Sequence, residues 1–65
     1  MKSFVVRMSP DGWMVQREGK KSPVSMHSKK DVAVRKGRSM AKRAHGVLKI
    51  KARNGKLQAK RSYAA

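Results

Sequence analysis

The stretch from Ser28 to His45 constrains the fold more than any other part of this chain, because it carries the only long helical signal. Ser28 is a favourable N-cap, and Asp31, three residues on, gives an approximate capping box and a negative charge in the first turn. Gly46 follows the last periodic residue and is a natural C′ stop. The sequence therefore predicts one helix over residues 28–45.

This helix has two chemically different sides. At about 100° per residue, small and apolar residues share one side, and they are Ala33, Val34, Gly37, Met40, Ala41 and Ala44. A basic ridge on the other side consists of Arg35, Arg38 and Lys42. Small side chains let a helix approach a sheet closely, so we predict that the Ala/Gly side covers the core.

Two strands are predicted before the helix. Residues 2–9 alternate between apolar and polar side chains, Ser9-Pro10-Asp11-Gly12 is a turn sequence, and residues 13–18 alternate again. We expect these two runs to form a hairpin. Residues 19–27 contain Pro23, which argues against a central strand, so we interpret them as a connecting loop.

Two more strands are predicted after the helix. Residues 47–53 and 56–63 alternate, and Asn54-Gly55 between them is a strong signal for a type I′ hairpin turn. A single helix must then cover one face of the sheet. We predict one α+β domain over residues 1–65, with the order β-β-α-β-β and an antiparallel sheet of two hairpins. The predicted core is Phe4, Val6, Met8, Trp13, Val15, Val34, Met40, Leu48, Ile50 and Leu57.

Several short motifs resemble one family. They are the strand Gly12-Trp13-x-Val15, the helix start Ser28-Lys29-Lys30-Asp31 with Ala33 and Ala41, and a second hairpin at Asn54-Gly55 that ends near Tyr63. Together they resemble a family of very short bacterial and phage proteins of unassigned function. The chain departs from that pattern in having Gly37 where a helix former is expected, and in being far more basic. The resemblance implies the same fold and carries no catalytic or binding residues.

Charge is the main indication of function. Eighteen Lys and Arg residues stand against three acids, Asp11, Glu18 and Asp31, for a net charge of +15. From Val32 to the end the chain has eleven Lys or Arg residues and no acid. Such a field attracts polyanions strongly, and nucleic acid is the obvious cytoplasmic polyanion.

Two basic surfaces are candidates for nucleic-acid binding. The first, favoured as the main contact, is the outward face of the second hairpin, with Lys49, Lys51, Arg53, Lys56, Gln58 and Lys60. The second, auxiliary surface is the helix ridge of Arg35, Arg38 and Lys42. For each surface, a solvated charged face is the alternative interpretation.

The residue types favour binding without sequence preference. Most of these side chains are Lys, which acts as a point charge, and Gln58 and Arg53 alone suit base edges. Trp13 is either a base-stacking platform or the largest core residue, and we favour the core because Trp13 shares a face with Val15. We therefore predict salt-dependent contacts to the backbone of duplex DNA, with RNA as another ligand to be tested.

A different class of function is a small interaction module that docks on an acidic protein, as a phage factor directed at its host would. The alternation along the strands places three apolar residues, Val5, Met14 and Val47, on the face of the sheet that points away from the helix. This open face would therefore carry an apolar patch. Exposed strand edges would also allow a homodimer.

Other functions find little support. The chain has no cysteine, no carboxylate pair at a telling spacing and no Gly-rich phosphate loop, so we predict no enzyme, metal site or cofactor. His27 and His45 are interpreted as surface or capping residues. No segment is apolar enough for a membrane span or a signal peptide, so we expect a cytoplasmic protein, nucleoid-associated if it binds DNA.

Overall fold

A computed structural model describes residues 2–20 and 22–64. Its elements are β1 (Ser3–Ser9), β2 (Gly12–Arg17), β3 (Pro23–His27), α1 (Lys30–Ala44), β4 (Val47–Lys51) and β5 (Leu57–Ser62). The five strands form one sheet in the order β3-β2-β1-β4-β5. The α+β class and the single helix are confirmed, whereas the order becomes β-β-β-α-β-β and the sheet is mixed.

The additional strand is β3, which occupies residues predicted to form a loop. It pairs antiparallel with β2, and the register shifts between Val15 and Gln16. Pro23 is the first residue of this strand, and β3 is an edge strand, which are two positions where proline is tolerated. The loop prediction was therefore wrong for residues 23–27, because Pro23 excludes a central strand but not an edge strand.

The two predicted hairpins, β1–β2 and β4–β5, are both present and antiparallel. They are joined side by side through β1 and β4, which pair in parallel from Ser3 opposite Val47 to Val6 opposite Ile50. A parallel pair needs a long crossover, and here β2, β3 and α1 supply it. The prediction of a fully antiparallel sheet was wrong at this central pair.

The Ala/Gly side of α1 lies directly on the sheet, as predicted. Ala33, Gly37 and Ala41 recur every four residues and are buried. A Cβ placed on Gly37 would lie 2.9 Å from Cδ1 of Leu48 and 3.0 Å from Cγ2 of Val6. The helix is therefore so close to β1 and β4 that the site has no room for a methyl group.

The N-terminus of α1 differs slightly from the prediction. Lys29 is the N-cap, in extended conformation and without a side-chain cap, so the prediction of Ser28 at this position was wrong. The Ala33 N–H donates to the Lys29 carbonyl at 3.2 Å. Asp31 does lie in the first turn, where the helix dipole favours a negative charge.

The C-terminus of α1 ends in a Schellman arrangement in which His45, not glycine, takes the left-handed conformation, with φ of 51°. The N–H groups of His45 and Gly46 donate to the Lys42 and Ala41 carbonyls. Gly46 has a different role, because a Cβ there would lie 2.1 Å from the Lys2 carbonyl oxygen. Glycine is therefore needed for close packing against the start of the chain.

Five of the ten predicted core residues are buried, namely Phe4, Val6, Val15, Leu48 and Ile50, and Trp13, Val34 and Met40 are half-buried against them. The core interpretation of Trp13 is thus confirmed. Met8 and Leu57 were wrong, since they are 44% and 55% exposed. Leu57 lies on β5, and in the described part of the chain α1 packs on β1, β2, β3 and β4 but not on β5.

The turn between β4 and β5 also differs from the prediction. The Gly55 N–H donates to the Ala52 carbonyl, and the Ala52 N–H donates to the Lys56 carbonyl. Gly55 has a φ of 87°, whereas Asn54 has no positive φ. A type I′ turn requires positive φ at both central residues, so the connection is instead a three-residue loop with glycine in the left-handed position.

Candidate nucleic-acid interface

A groove separates α1 from β5, because the helix stops short of this edge strand. We call it the α1–β5 groove, and it consists of two adjoining concavities that share Arg38. Towards the start of the helix it is lined by Lys30, Asp31, Val34, Arg35 and Arg38. Towards the end of the helix it is lined by Arg38, Lys42, Lys60, Arg61, Ser62 and Tyr63.

The helix wall of the groove follows from a four-residue spacing. Val34, Arg38 and Lys42 recur every four residues, so they lie on one flank of α1, about 6 Å apart along the axis. Arg38 and Lys42 are exposed, and Val34 is half-buried against the core. Val34 therefore packs this flank of the helix against the core, and Arg38 and Lys42 on the same flank line the groove.

The β5 wall contains two adjacent, exposed cations, Lys60 and Arg61, of which Lys60 is paired with Lys49 and so has the register of the helix-free face. Arg61 is paired with Leu48, so its position in the register belongs to the helix-covered side of the sheet. A cation is accommodated there because α1 does not extend over β5. Sequence reasoning did not select Arg61, although a cation at inward parity was a signal that this strand leaves the core.

Tyr63 closes the C-terminal end of the groove and was likewise not selected from the sequence. It packs half-buried against the core, and its N–H donates to the Gly46 carbonyl at 2.8 Å. The Lys42 Nζ lies 5.7 Å from the centroid of the Tyr63 ring. This cation–π contact holds the Lys42 ammonium at the mouth of the groove.

Lys30 occupies the opposite end. Its Nζ donates a hydrogen bond to Oε1 of Gln58 and lies 5.3 Å from the centroid of the Trp13 ring. Gln58, predicted to suit base edges, is therefore engaged within the protein. Trp13 is covered by a cation on one face and packed against the core, so its ring is not a free stacking platform.

The two halves of the groove differ in charge. Asp31 lines the N-terminal concavity and partly offsets its cations. The C-terminal concavity has no acid among the described residues that line it. Arg38, Lys42 and Arg61 lie on the faces that meet there, and Lys60, which is opposite Lys49 in the register, borders it. This end of the groove therefore suits a phosphate group or another anion best.

The hairpin residues predicted as one surface lie in three places. Lys49 and Lys51 are on the helix-free face, and Arg53 and Lys56 are exposed at the turn. Lys60 is paired with Lys49 and, on the edge strand β5, also borders the groove. The Lys49 Nζ lies 2.9 Å from Oε2 of Glu18. The expectation that no acid balances this hairpin was therefore wrong, because Glu18 reaches it from the far side of β1.

Arg35 is the remaining ridge residue, and it lines the N-terminal concavity beside Arg38. The structure thus brings Arg38 and Lys42 of the helix ridge to a concavity that Lys60 of the hairpin borders. The register keeps Lys60 opposite Lys49, on the helix-free face, and Lys51 belongs to that face as well.

The apolar patch expected on the helix-free face is not exposed. Val5, Met14 and Val47 are 9%, 6% and 7% exposed, respectively. Val5 is paired with Gln16 and Lys49, and long side chains of this kind cover apolar neighbours with their aliphatic parts. The register places these three residues on the helix-free face, as their parity predicted, but the prediction that they form an exposed apolar patch was wrong.

Two other classes of site were sought in residues 2–20 and 22–64. No group of three potential metal ligands occurs there. The helix found in these residues is too short and too polar to cross a membrane.

Comparison with known proteins gives one match. A family model described as "Uncharacterized protein conserved in bacteria (DUF2188)" matches residues 4–63. The matched range includes all five strands, except for the first residue of β1, and the whole helix. No curated protein and no solved structure matches the chain significantly.

Proposed function

The chain belongs to a conserved bacterial family of uncharacterized proteins, and from this premise we propose that it is a small nucleic-acid-binding protein. The preferred ligand is duplex DNA, held through its phosphate groups in the α1–β5 groove with little sequence preference. The location that follows from this function is the cytoplasm, at the nucleoid.

One observation carries the proposal. Arg38 and Lys42 from the helix and Arg61 from β5 face a concavity that contains no acid among its described lining residues, and Lys60 borders it. A duplex carries about one negative charge per 1.7 Å of its axis, and each phosphate that a cation neutralises releases condensed counterions. Three neighbouring cations on two rigid elements, with Lys60 beside them, are suited to this kind of binding.

The same residues argue for contacts to the backbone. Arg38 and Arg61 can donate two parallel hydrogen bonds to one phosphate, whereas lysines act as point charges. Gln58 is engaged by Lys30, and Trp13 packs on the core, so neither is available for reading or stacking bases. This combination favours a duplex over a single strand and predicts weak discrimination between sequences.

The family signature is a second part of this proposal. We propose that the Gly12-Trp13-x-Val15 strand and the Asn54-Gly55 turn are shared features of the family, in phage as well as bacterial members. Trp13 would be conserved because it packs beside Val15, and Gly55 would be conserved because it adopts the left-handed conformation.

The test is a titration of a fluorescently labelled duplex of mixed sequence, followed by anisotropy at several salt concentrations. If Arg38, Lys42 and Arg61 each contact one phosphate, the logarithm of the affinity should fall with the logarithm of salt concentration with a slope of about −2.7. The matching single strand, an RNA duplex and an acidic protein serve as competitors. An affinity that barely changes between low and physiological salt, or stronger competition by the acidic protein, would contradict the proposal.

A further inference from the structure

A second basic surface lies on the face of the sheet that α1 leaves open. It is a shallow depression in which apolar and amide side chains, Val5 and Gln16, lie among charged ones. The charged lining residues are Arg7, Arg17, Glu18, Lys20 and Lys51. Val5 and Gln16 are paired in the register and alternate with Phe4 and Val15, which belong to the core beneath the helix. The depression and the α1–β5 groove therefore belong to different faces of the protein.

The charge of this depression is largely uncompensated. Its cations are Arg7, Lys20 and Lys51, together with Arg17, whose register partner Phe4 places it on the helix-covered side, and its single acid is Glu18. The Glu18 carboxylate is paired with the neighbouring Lys49 at 2.9 Å. The acid is thus already paired with a cation outside the depression, and Arg7, Lys20 and Lys51 remain to attract an anion.

We propose that one molecule of this protein bridges two nucleic-acid duplexes, one in the α1–β5 groove and one on the helix-free face. This inference rests on the proposed function and extends it from binding to cross-linking. The groove, whose C-terminal concavity has no acid among its described lining residues and is faced by Arg38, Lys42 and Arg61, is the stronger site. The helix-free depression, which includes Glu18, is the weaker one.

Stiffness prevents one short duplex from occupying both surfaces. The protein measures 34 × 21 × 20 Å, whereas duplex DNA bends smoothly only over lengths comparable to its persistence length of about 50 nm. Wrapping a single duplex around so small a body would require a sharp bend. The cations on the second face therefore remain available for another duplex.

Electrostatic screening makes two duplexes compatible with one protein. The smallest dimension of the protein is 20 Å, and the Debye length at physiological salt is about 8 Å. Repulsion between duplexes on opposite faces is thus largely screened. Val5, Met14 and Val47 on this face are buried and offer a second copy of the chain no exposed apolar surface.

The test is a capture experiment with two duplexes of about 30 bp, well below the persistence length of about 150 bp. One duplex is fixed to beads, and the other is labelled and free in solution. Wild-type protein should carry the labelled duplex to the beads. Three variants with the same loss of charge are compared, each replacing one Arg and one Lys by Gln: Arg7→Gln/Lys20→Gln on the helix-free face, Arg38→Gln/Lys42→Gln in the groove, and Lys36→Gln/Arg43→Gln on the other flank of α1.

We expect Arg7→Gln/Lys20→Gln to keep the wild-type affinity for a single duplex but to lose capture of the second one. The Lys36→Gln/Arg43→Gln control should retain both, and circular dichroism checks that every variant is folded. Binding without capture by the wild type would overturn bridging and leave the proposed function intact, whereas absence of any binding would overturn the proposed function itself. If the Arg7→Gln/Lys20→Gln variant still captures the second duplex, and light scattering gives this variant the mass of a dimer, then the dimer cross-links the duplexes. That result would overturn the proposal of a second binding site on each molecule.

Discussion

The Glu18 carboxylate lies 2.9 Å from the Nζ of Lys49, and this ion pair spans β1, the strand between them in the sheet. The two residues are 31 positions apart in the chain. The pair places one of the three acids beside the C-terminal hairpin, which is free of acids in its own sequence. Glu18 therefore offsets one cation of the hairpin face, whereas the C-terminal end of the α1–β5 groove has no acid among its described lining residues.

The first prediction concerns this ion pair. Replacing Glu18 by Gln should strengthen duplex binding at low salt, because it releases Lys49 and adds one unit of positive charge. Stability should change by less than about 1 kcal/mol, since the two side chains are 30% and 50% exposed. Asp11→Asn, in the exposed β1–β2 turn, is the matched control measured by anisotropy and thermal melting. Equal gains in affinity for both variants would mean that only net charge matters.

The second prediction separates the groove from charge in general. Arg38→Gln/Lys42→Gln should weaken duplex binding and reduce the steepness of the salt dependence by about 1.8, because two phosphate contacts are lost. Lys36→Gln/Arg43→Gln removes the same charge from the opposite flank of α1 and should leave the slope close to the wild type. Indistinguishable slopes for the two variants would exclude the groove as the main contact.

The third prediction tests the close contact at Gly37. Alanine is the better helix former by about 1 kcal/mol, but its Cβ would lie 2.9 Å from a methyl group of the buried Leu48. Overpacking of a core typically destabilises by about 1–3 kcal/mol, so Gly37→Ala should lower the free energy of unfolding by about 1 kcal/mol. Ser39→Ala, on the exposed side of the same helix, should not lower it. Denaturant melts give both values, and a stabilised Gly37→Ala would show that the helix sits further from the sheet.

The fourth prediction concerns the end of the helix. His45 adopts a φ of 51°, a conformation that costs a residue with a Cβ about 1–2 kcal/mol. His45→Gly should therefore raise the melting temperature. His45→Ala keeps the Cβ and should bring no such gain, so the comparison separates backbone conformation from loss of the imidazole. A gain of equal size in both variants would argue against backbone strain.

Much of the local structure could be predicted because it depends on short-range patterns. The four-residue recurrence of Ala33, Gly37 and Ala41 indicated which side of the helix would meet the sheet. The alternation on either side of Asn54-Gly55 indicated the second hairpin, although the turn type was wrong. These features follow from side-chain periodicity and turn chemistry within a few residues.

The strand β3 and the parallel pair β1–β4 were not predictable in the same way. Pro23 argues against a strand in the middle of a sheet, and only the strand order shows that β3 lies at an edge, where proline is tolerated. Parallel pairing of β1 with β4 depends on where the long connection through α1 returns the chain. Both are properties of strand order, which short-range periodicity does not record.

The candidate site shows the same division. Arg38 and Lys42 were selected from the sequence and line the groove, whereas Lys60 borders it from β5 with the register of the helix-free face. Arg61 and Tyr63 completed that groove without having been selected. Lys49 and Lys51, which the alternation favoured most, belong to the opposite face.

The sequence by itself determined a strongly cationic α+β unit with one helix that must lie close to its sheet, because composition, periodicity and small residues are local properties. Only the tertiary structure decided which charges act together. The helix does not pack on β5, so Arg38 and Arg61, which are far apart in the chain, both line the α1–β5 groove. The sheet order likewise brings Glu18 to Lys49, and charges combine or cancel through distance in space and not through distance along the chain.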